Sequence, residues 1–147
     1  MEKDNLMNRI ICIGNKFVNG DDFGPRVFAY LLTQNLPDGI EVIDGGLMGL
    51  NLLRFFDDCE RLVFVDSING DIPSDEILVL ENASLDTGET SYTHASGLGY
   101  LLQADQAIRT ENPPQVFLIG AGAQASEKAV AAAAERSLQL VMEHLPA

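Results

Sequence analysis

The chain has little cysteine, little positive charge and no long apolar run. Only two cysteines, Cys12 and Cys59, occur in 147 residues, and neither belongs to a Cys-x-x-Cys pair. Neither a disulfide framework nor a structural zinc site is expected on that count. Free thiols suit a reducing compartment, and Cys12 lies among isoleucines, where a thiol is core. Nine basic residues stand against 22 acidic ones, a formal net charge of −13. Nucleic-acid binding needs Lys and Arg to neutralise phosphates, so it is not expected. Docking on an anionic membrane is disfavoured for the same reason. No apolar run approaches the ~20 residues that span a bilayer. The polar start, Met1 to Arg9, lacks the apolar centre of a signal peptide, so a cytoplasmic location is expected. Gly14 and Gly20 do not make a phosphate-binding Gly-x-x-x-x-Gly-Lys loop. Gly-x-Gly-x-x-Gly is absent after the first strand, and there is no Gly-x-Ser-x-Gly elbow.

What is present is a regular alternation. Arg9 to Gly14 is a short β-branched run suited to a strand covered on both faces. A Gly-, Asn- and Asp-rich loop leads to Pro25, which fits the first turn of a helix carrying Val27, Phe28, Leu31 and Leu32. Ile40 to Asp44 is a second strand, stopped by Gly45 and Gly46, and Leu50, Leu53 and Phe56 mark the inner face of a second helix. Leu62 to Asp66 is a third strand. Glu76 to Leu80 is a fourth, reached by a link too short for a crossover helix and therefore antiparallel or at an edge. After a polar loop, Gly97 to Ile108 is a helix with Leu98, Leu101, Ala104 and Ile108 inward. Gln115 to Gly120 is the fifth strand. Ser126 caps a last helix whose stripe is Val130, Ala134, Leu138, Val141 and Leu145.

The order β-α-β-α-β-β-α-β-α predicts one α/β domain over residues 1–147. Its architecture is a three-layer α/β/α sandwich, a five-stranded, mainly parallel sheet with helices on both faces. Right-handed crossovers gather the ends of strands one, two, three and five along one edge, where such sheets bind ligands. Three polar stretches fall there: Gly20-Asp21-Asp22-Phe23-Gly24, Val65-Asp66-Ser67 and Thr93-His94-Ala95-Ser96-Gly97. Asp21 and Asp22 precede a helix, where one carboxylate caps free N–H groups and the other projects as an oxygen ligand. Asp66 follows four apolar residues and needs a partner where a buried strand emerges. An imidazole from His94 with such carboxylates suits nickel, zinc or iron. His144, near a helix C-terminus, is structural.

Taken in order, Ile13-Gly14-Asn15, Gly20-Asp21-Asp22 with Gly24-Pro25-Arg26-Val27, Asp44-Gly45-Gly46 with Gly49, Val65-Asp66-Ser67 and His94-x-x-Gly-Leu-Gly resemble the endopeptidases that mature nickel–iron hydrogenases. The resemblance runs from Arg9 to about Leu102. It implies removal of a C-terminal extension from a hydrogenase large-subunit precursor after nickel insertion, with the substrate's nickel as the recognition element. The metal-ligand roles fall on Asp21 or Asp22, on Asp66 and on His94, and the catalytic roles on Asp21 and Asp66. Counting back from Gly24 selects Asp21, whereas matching the second member of the Asp-Asp pair selects Asp22. The segment Gly120 to Ala125 is shorter and less acidic than the matching loop of the family. The other readings are a non-catalytic nickel-binding or docking module, a hydrolase of another kind on a similar sheet such as a peptidyl-tRNA hydrolase, and a plain interaction domain.

Overall fold

Five apolar, β-branched segments pair into one sheet of order β2-β1-β3-β5-β4. They are β1 (Met7–Ile13), β2 (Ile40–Gly46), β3 (Cys59–Ser67), β4 (Leu78–Glu81) and β5 (Gln115–Ala121). The computed structural model describes residues 6–47, 49–68, 70–81, 98–110 and 112–143. β1 runs parallel to β2 and β3, and β3 parallel to β5; β4 alone is antiparallel, on the edge beside β5. The short link before β4 thus has the expected consequence. β4 starts two residues later than the sequence suggests, because a turn in which the Glu76 N–H donates to the Pro73 carbonyl occupies its start.

The two sheet faces carry separate cores. Alternate residues Ile10, Cys12, Val63, Val65, Phe117 and Ile119 face helices α1 (Phe23–Leu32) and α3 (Glu127–Met142). Ile11, Ile13, Leu62, Phe64 and Leu118 face a short 3-10 helix (Leu50–Phe56) and helix α2 (Leu98–Ile108). The period of two along strands buried on both sides produces this division. The sandwich is the three-layer architecture expected.

Two local expectations are corrected. The second helix is a 3-10 segment that buries Leu52 and Phe56 while Leu50, at its first position, is exposed. In α2 the buried stripe is Leu98, Leu101, Leu102 and Asp105, so Ala104 is half-buried and Ile108 is 67% exposed. The cause is Asp105, which is drawn inward by two bonds from Arg109, Nε at 2.8 Å and Nη2 at 2.9 Å. A buried carboxylate so paired occupies a helical position that an apolar residue would otherwise fill. Ser126 does cap α3, its Oγ accepting from the Ala129 N–H. Leu145 lies outside the described residues.

At the edge where β1 and β3 begin, α3 is tied to the sheet by buried polar groups. Asn8 donates from Nδ2 to the Val141 carbonyl at 2.7 Å and accepts from the Arg61 N–H at 2.9 Å. The Arg61 guanidinium bonds the Leu140 carbonyl, Glu143 and Gln115. Truncating Asn8 strands two buried backbone groups at once, each worth about 1–3 kcal/mol. Asn8→Ala is therefore expected to lower unfolding free energy by about 2–4 kcal/mol in urea titrations. A loss below ~0.5 kcal/mol would show that Asn8 does not anchor the helix.

Candidate functional site

The carboxyl ends of β1, β2, β3 and β5 lie along one edge, as parallel pairing requires. The loop after β1 is closed on itself. The Asn15 N–H donates to the Asp21 carbonyl at 2.8 Å, the Val18 N–H to the Asn15 carbonyl, and the Asp21 N–H to the Val18 carbonyl. Asn15 Oδ1 accepts from the Phe17 N–H at 2.9 Å. This ring of bonds fixes the backbone that carries Asp21. It depends on Gly14, which has φ +146° and no room for a Cβ, since one would stand 2.5 Å from the Asp21 carbonyl oxygen. Gly24 packs the start of α1 against the end of β1: a Cβ there would stand 2.0 Å from the Ile13 carbonyl oxygen. The loop after β5 adjoins as well, with Ala123 Cβ 3.3 Å from where a Gly20 Cβ would be.

The structure separates Asp21 from Asp22. Asp21 turns to β3, where Oδ1 accepts from the Ser67 hydroxyl at 3.2 Å. Asp22 occupies the N-cap position of α1 but makes no side-chain cap bond. The capping role considered for the pair is thus filled by neither carboxylate through such a bond; Asp22 contributes its carbonyl, which accepts from the Arg26 N–H.

Asp66 is 6% exposed, near the end of β3. By strand alternation it shares the face of Leu62 and Phe64, and Ser67 shares the face of Val63 and Val65. Burial pushes the Asp66 carboxyl up to about 8, the Asp21 carboxylate pushes in the same direction, and the Ser67 backbone N–H pulls slightly back. Two carboxylates 45 residues apart, one on the loop after β1 and one near the end of β3, therefore sense each other at the sheet edge. A strongly raised carboxyl beside a specific charge partner is a mark of a functional site.

His94 lies outside the described residues, as does His144. Among the described residues no group of three His, Cys, Asp or Glu gathers tightly enough to hold a metal. The thiols take no part: both are buried, Cys59 is pushed up to about 11 by desolvation, and Cys12 is pushed higher still. Neither supplies a thiolate nucleophile at neutral pH.

A cleft of about 260 Å³ opens at the ends of β1 and β2, lined by Gly14, Lys16, Phe17, Asp44, Gly46 and Leu47. Phe17 is 84% and Leu47 69% exposed, so the cleft has an apolar rim. The bend after β2 that forms one wall uses Gly46, at φ +61°, whose N–H donates to Asp44 Oδ1 at 3.2 Å. Gly14 and Ser67 belong to the stretches Ile13-Gly14-Asn15 and Val65-Asp66-Ser67 singled out in the sequence, but the spacing alone gives neither of them a role of its own. Among the described residues no helix is long and apolar enough to cross a membrane.

A family model described as hydrogenase maturation protease matches residues 25–144. A putative hydrogenase maturation protease of Methanocaldococcus jannaschii is 35% identical over 74 residues, covering 49% of this chain and 47% of the relative. The hydrogenase expression/formation protein HupD of Rhizobium leguminosarum bv. viciae is 29% identical over 115 residues, covering 76% of this chain and 56% of the relative. The chain thus spans about half the length of these two relatives. In fold it is similar to the hydrogenase maturating endopeptidase HybD from E. coli, with a TM-score of 0.70 at 22% identity, over 95% of this chain and 92% of that one.

Proposed function

Because the chain belongs to the hydrogenase maturation protease family, we propose that it is an endopeptidase that removes the C-terminal extension of a nickel–iron hydrogenase large-subunit precursor once nickel is in place. The observation that carries this reading is the placing of Asp21 and Asp66 at one sheet edge, with Asp21 bonded to Ser67, the residue after Asp66, and Asp66 buried with its carboxyl raised in part by the Asp21 charge.

The nickel belongs to the substrate. Asp21, Asp66 and His94 are the proposed ligands that recognise it, and Asp22 is the weaker candidate because it does not face β3 through any hydrogen bond to Ser67. Carboxylate oxygens with one imidazole suit a borderline divalent cation. Without a cation, a carboxyl raised to about 8 keeps its proton at neutral pH. A cation offers the charge that replaces that proton, so binding releases it. Holding the nickel holds the adjacent scissile segment at the sheet edge, and positioning of this kind supplies much of a rate enhancement. The bond is then attacked by water, activated by a carboxylate of the Asp21–Asp66 pair or aided by polarisation of the peptide carbonyl.

The test is cleavage of precursor with and without nickel, read as a mass change. The nickel-loaded precursor is expected to be shortened and the apo precursor left intact. An Asp66→Ala, His94→Ala double variant is expected to leave both intact. Equal cleavage of the two precursors would remove nickel recognition, and cleavage by the double variant would remove the site. A docking module without catalysis would bind the loaded precursor and shorten neither form.

A further inference from the structure

We propose that Ser67 is a positioning residue of this site: its hydroxyl orients the Asp21 carboxylate at the carboxyl edge of the sheet, leaving the second Asp21 oxygen for the cation. The inference rests on the functional reading above and adds to it a residue that neither donates to the metal nor reacts.

The geometry is specific. Ser67 is the next residue after Asp66 and is half-buried at the end of β3. Its side chain projects to the opposite sheet face from that of Asp66, toward the face covered by α1. There its Oγ donates to Asp21 Oδ1 at 3.2 Å, across 46 residues of sequence. Its backbone is held by the ladder, opposite Ala121 of β5, and the following Ile68 N–H donates to the Ala121 carbonyl at 2.9 Å. The donor therefore sits on the most rigid part of the site. The acceptor sits on a loop whose main chain is closed by its own bonds, so the side-chain torsions of Asp21 are the freedom left to restrain. A hydroxyl donor on one carboxylate oxygen occupies a lone pair there and steers the ion to the other oxygen. The same residue thereby couples the Asp21 loop to the strand that presents Asp66.

The test compares Ser67→Ala with Ser67→Thr in the full chain. Ser67→Ala removes the hydroxyl and leaves the backbone ladder, and Ser67→Thr restores the hydroxyl on a residue that strands tolerate well. Loss of such a supporting bond typically weakens metal affinity ~10–100-fold. Two readouts are taken: calorimetric titration with Ni2+ alone, and KM and kcat on nickel-loaded precursor. For Ser67→Ala the expected result is a ~10–100-fold weaker Kd for Ni2+ and a KM raised by a similar factor. Both constants should be recovered in Ser67→Thr. A purely structural serine would alter the melting temperature without changing the Kd for Ni2+ or the KM of the folded protein. Ser67→Ala with wild-type Kd and KM overturns the inference. If Asp21→Asn is inactive at the same time, the functional reading stands alone. A chain that binds Ni2+ in a Ser67-dependent way but cleaves no loaded precursor keeps the inference and removes the function. A chain that does neither removes both.

Discussion

Asp66→Asn is expected to abolish cleavage and, above neutral pH, to make the protein more stable. The two effects have one cause. Asp66 sits 6% exposed at the end of an apolar strand, beside a second carboxylate, and its carboxyl is raised to about 8 from an ordinary value of 3.8. In the unfolded chain Asp66 loses its proton near the ordinary value. In the folded chain it keeps that proton until about pH 8. Between those limits the folded state holds a proton that the unfolded state has released, so unfolding free energy falls as pH rises. The stability linked to Asp66 is fully present below about pH 4 and lost above about pH 8. Every tenfold difference in proton affinity between the folded and unfolded chain corresponds to ~1.4 kcal/mol. The linked change across the window is therefore on the order of 5 kcal/mol. Asparagine has nearly the same shape and no charge to bury. Urea unfolding of the two proteins at pH 5 and pH 9 should therefore show a gap in favour of Asp66→Asn that widens with pH. A variant less stable than wild type at pH 9 would refute the account. In cleavage assays the same variant loses a proposed ligand and a candidate base together, a loss of ~10³-fold or more in kcat/KM. The wild-type kcat/KM should rise with pH toward about 8, because that quantity reports ionisation in the free protein.

A residue that destabilises the fold where it stands is the kind that a packing argument from sequence flags correctly. Asp66 was conspicuous because four apolar residues precede it, and the sheet places it where that pattern implies. The parallel core was equally legible, since β1, β3 and β5 are nearly continuous β-branched or aromatic runs and their order of connection leaves few topologies. The interior of α2 was not. Its inward face was assigned from apolar residues alone, whereas Asp105 is buried by its pairing with Arg109 and carries Ile108 to the outside. Hydrophobic periodicity cannot register a charge that is buried because another charge accompanies it. Spacing from Gly24 favours Asp21 but leaves Asp22 open. The structure distinguishes the two only by which side chain meets Ser67: Asp21 does, across 46 residues, through the closed shape of one loop. His94 lies outside the described residues, so its part in the site is a reading of the sequence and of the family's pattern.

The closed loop makes the second large prediction. Gly14→Ala is expected to disable the site more than its stability change alone would explain. Gly14 has φ +146°, where any side chain is strained, and a Cβ there would lie 2.5 Å from the Asp21 carbonyl oxygen and 2.9 Å from Pro25 Cδ. The first of these contacts is with backbone, so relief requires the Asp21 main chain to move. That same carbonyl accepts the Asn15 N–H, so the movement breaks the bond that closes the loop. Strain of this type costs about 1–3 kcal/mol, and the clash adds to it. Gly39→Ala provides the control, because Gly39 also has a positive φ, +89°, but a Cβ there meets nothing within 4 Å. Both variants should lose stability, Gly39→Ala by about 1 kcal/mol and Gly14→Ala by about 2–4 kcal/mol in urea unfolding. Only Gly14→Ala should also lower kcat/KM, by ~100-fold, since a misplacement near 1 Å in a catalytic group has that effect. Measured well below the unfolding transition, equal kcat/KM for the two variants would mean that the loop does not set the position of Asp21. The Ser67 bond would then carry the orientation of that carboxylate by itself. Ordinarily a strained glycine is explained by the turn it permits; at Gly14 the missing Cβ also makes room for the carbonyl that keeps Asp21 within reach of β3.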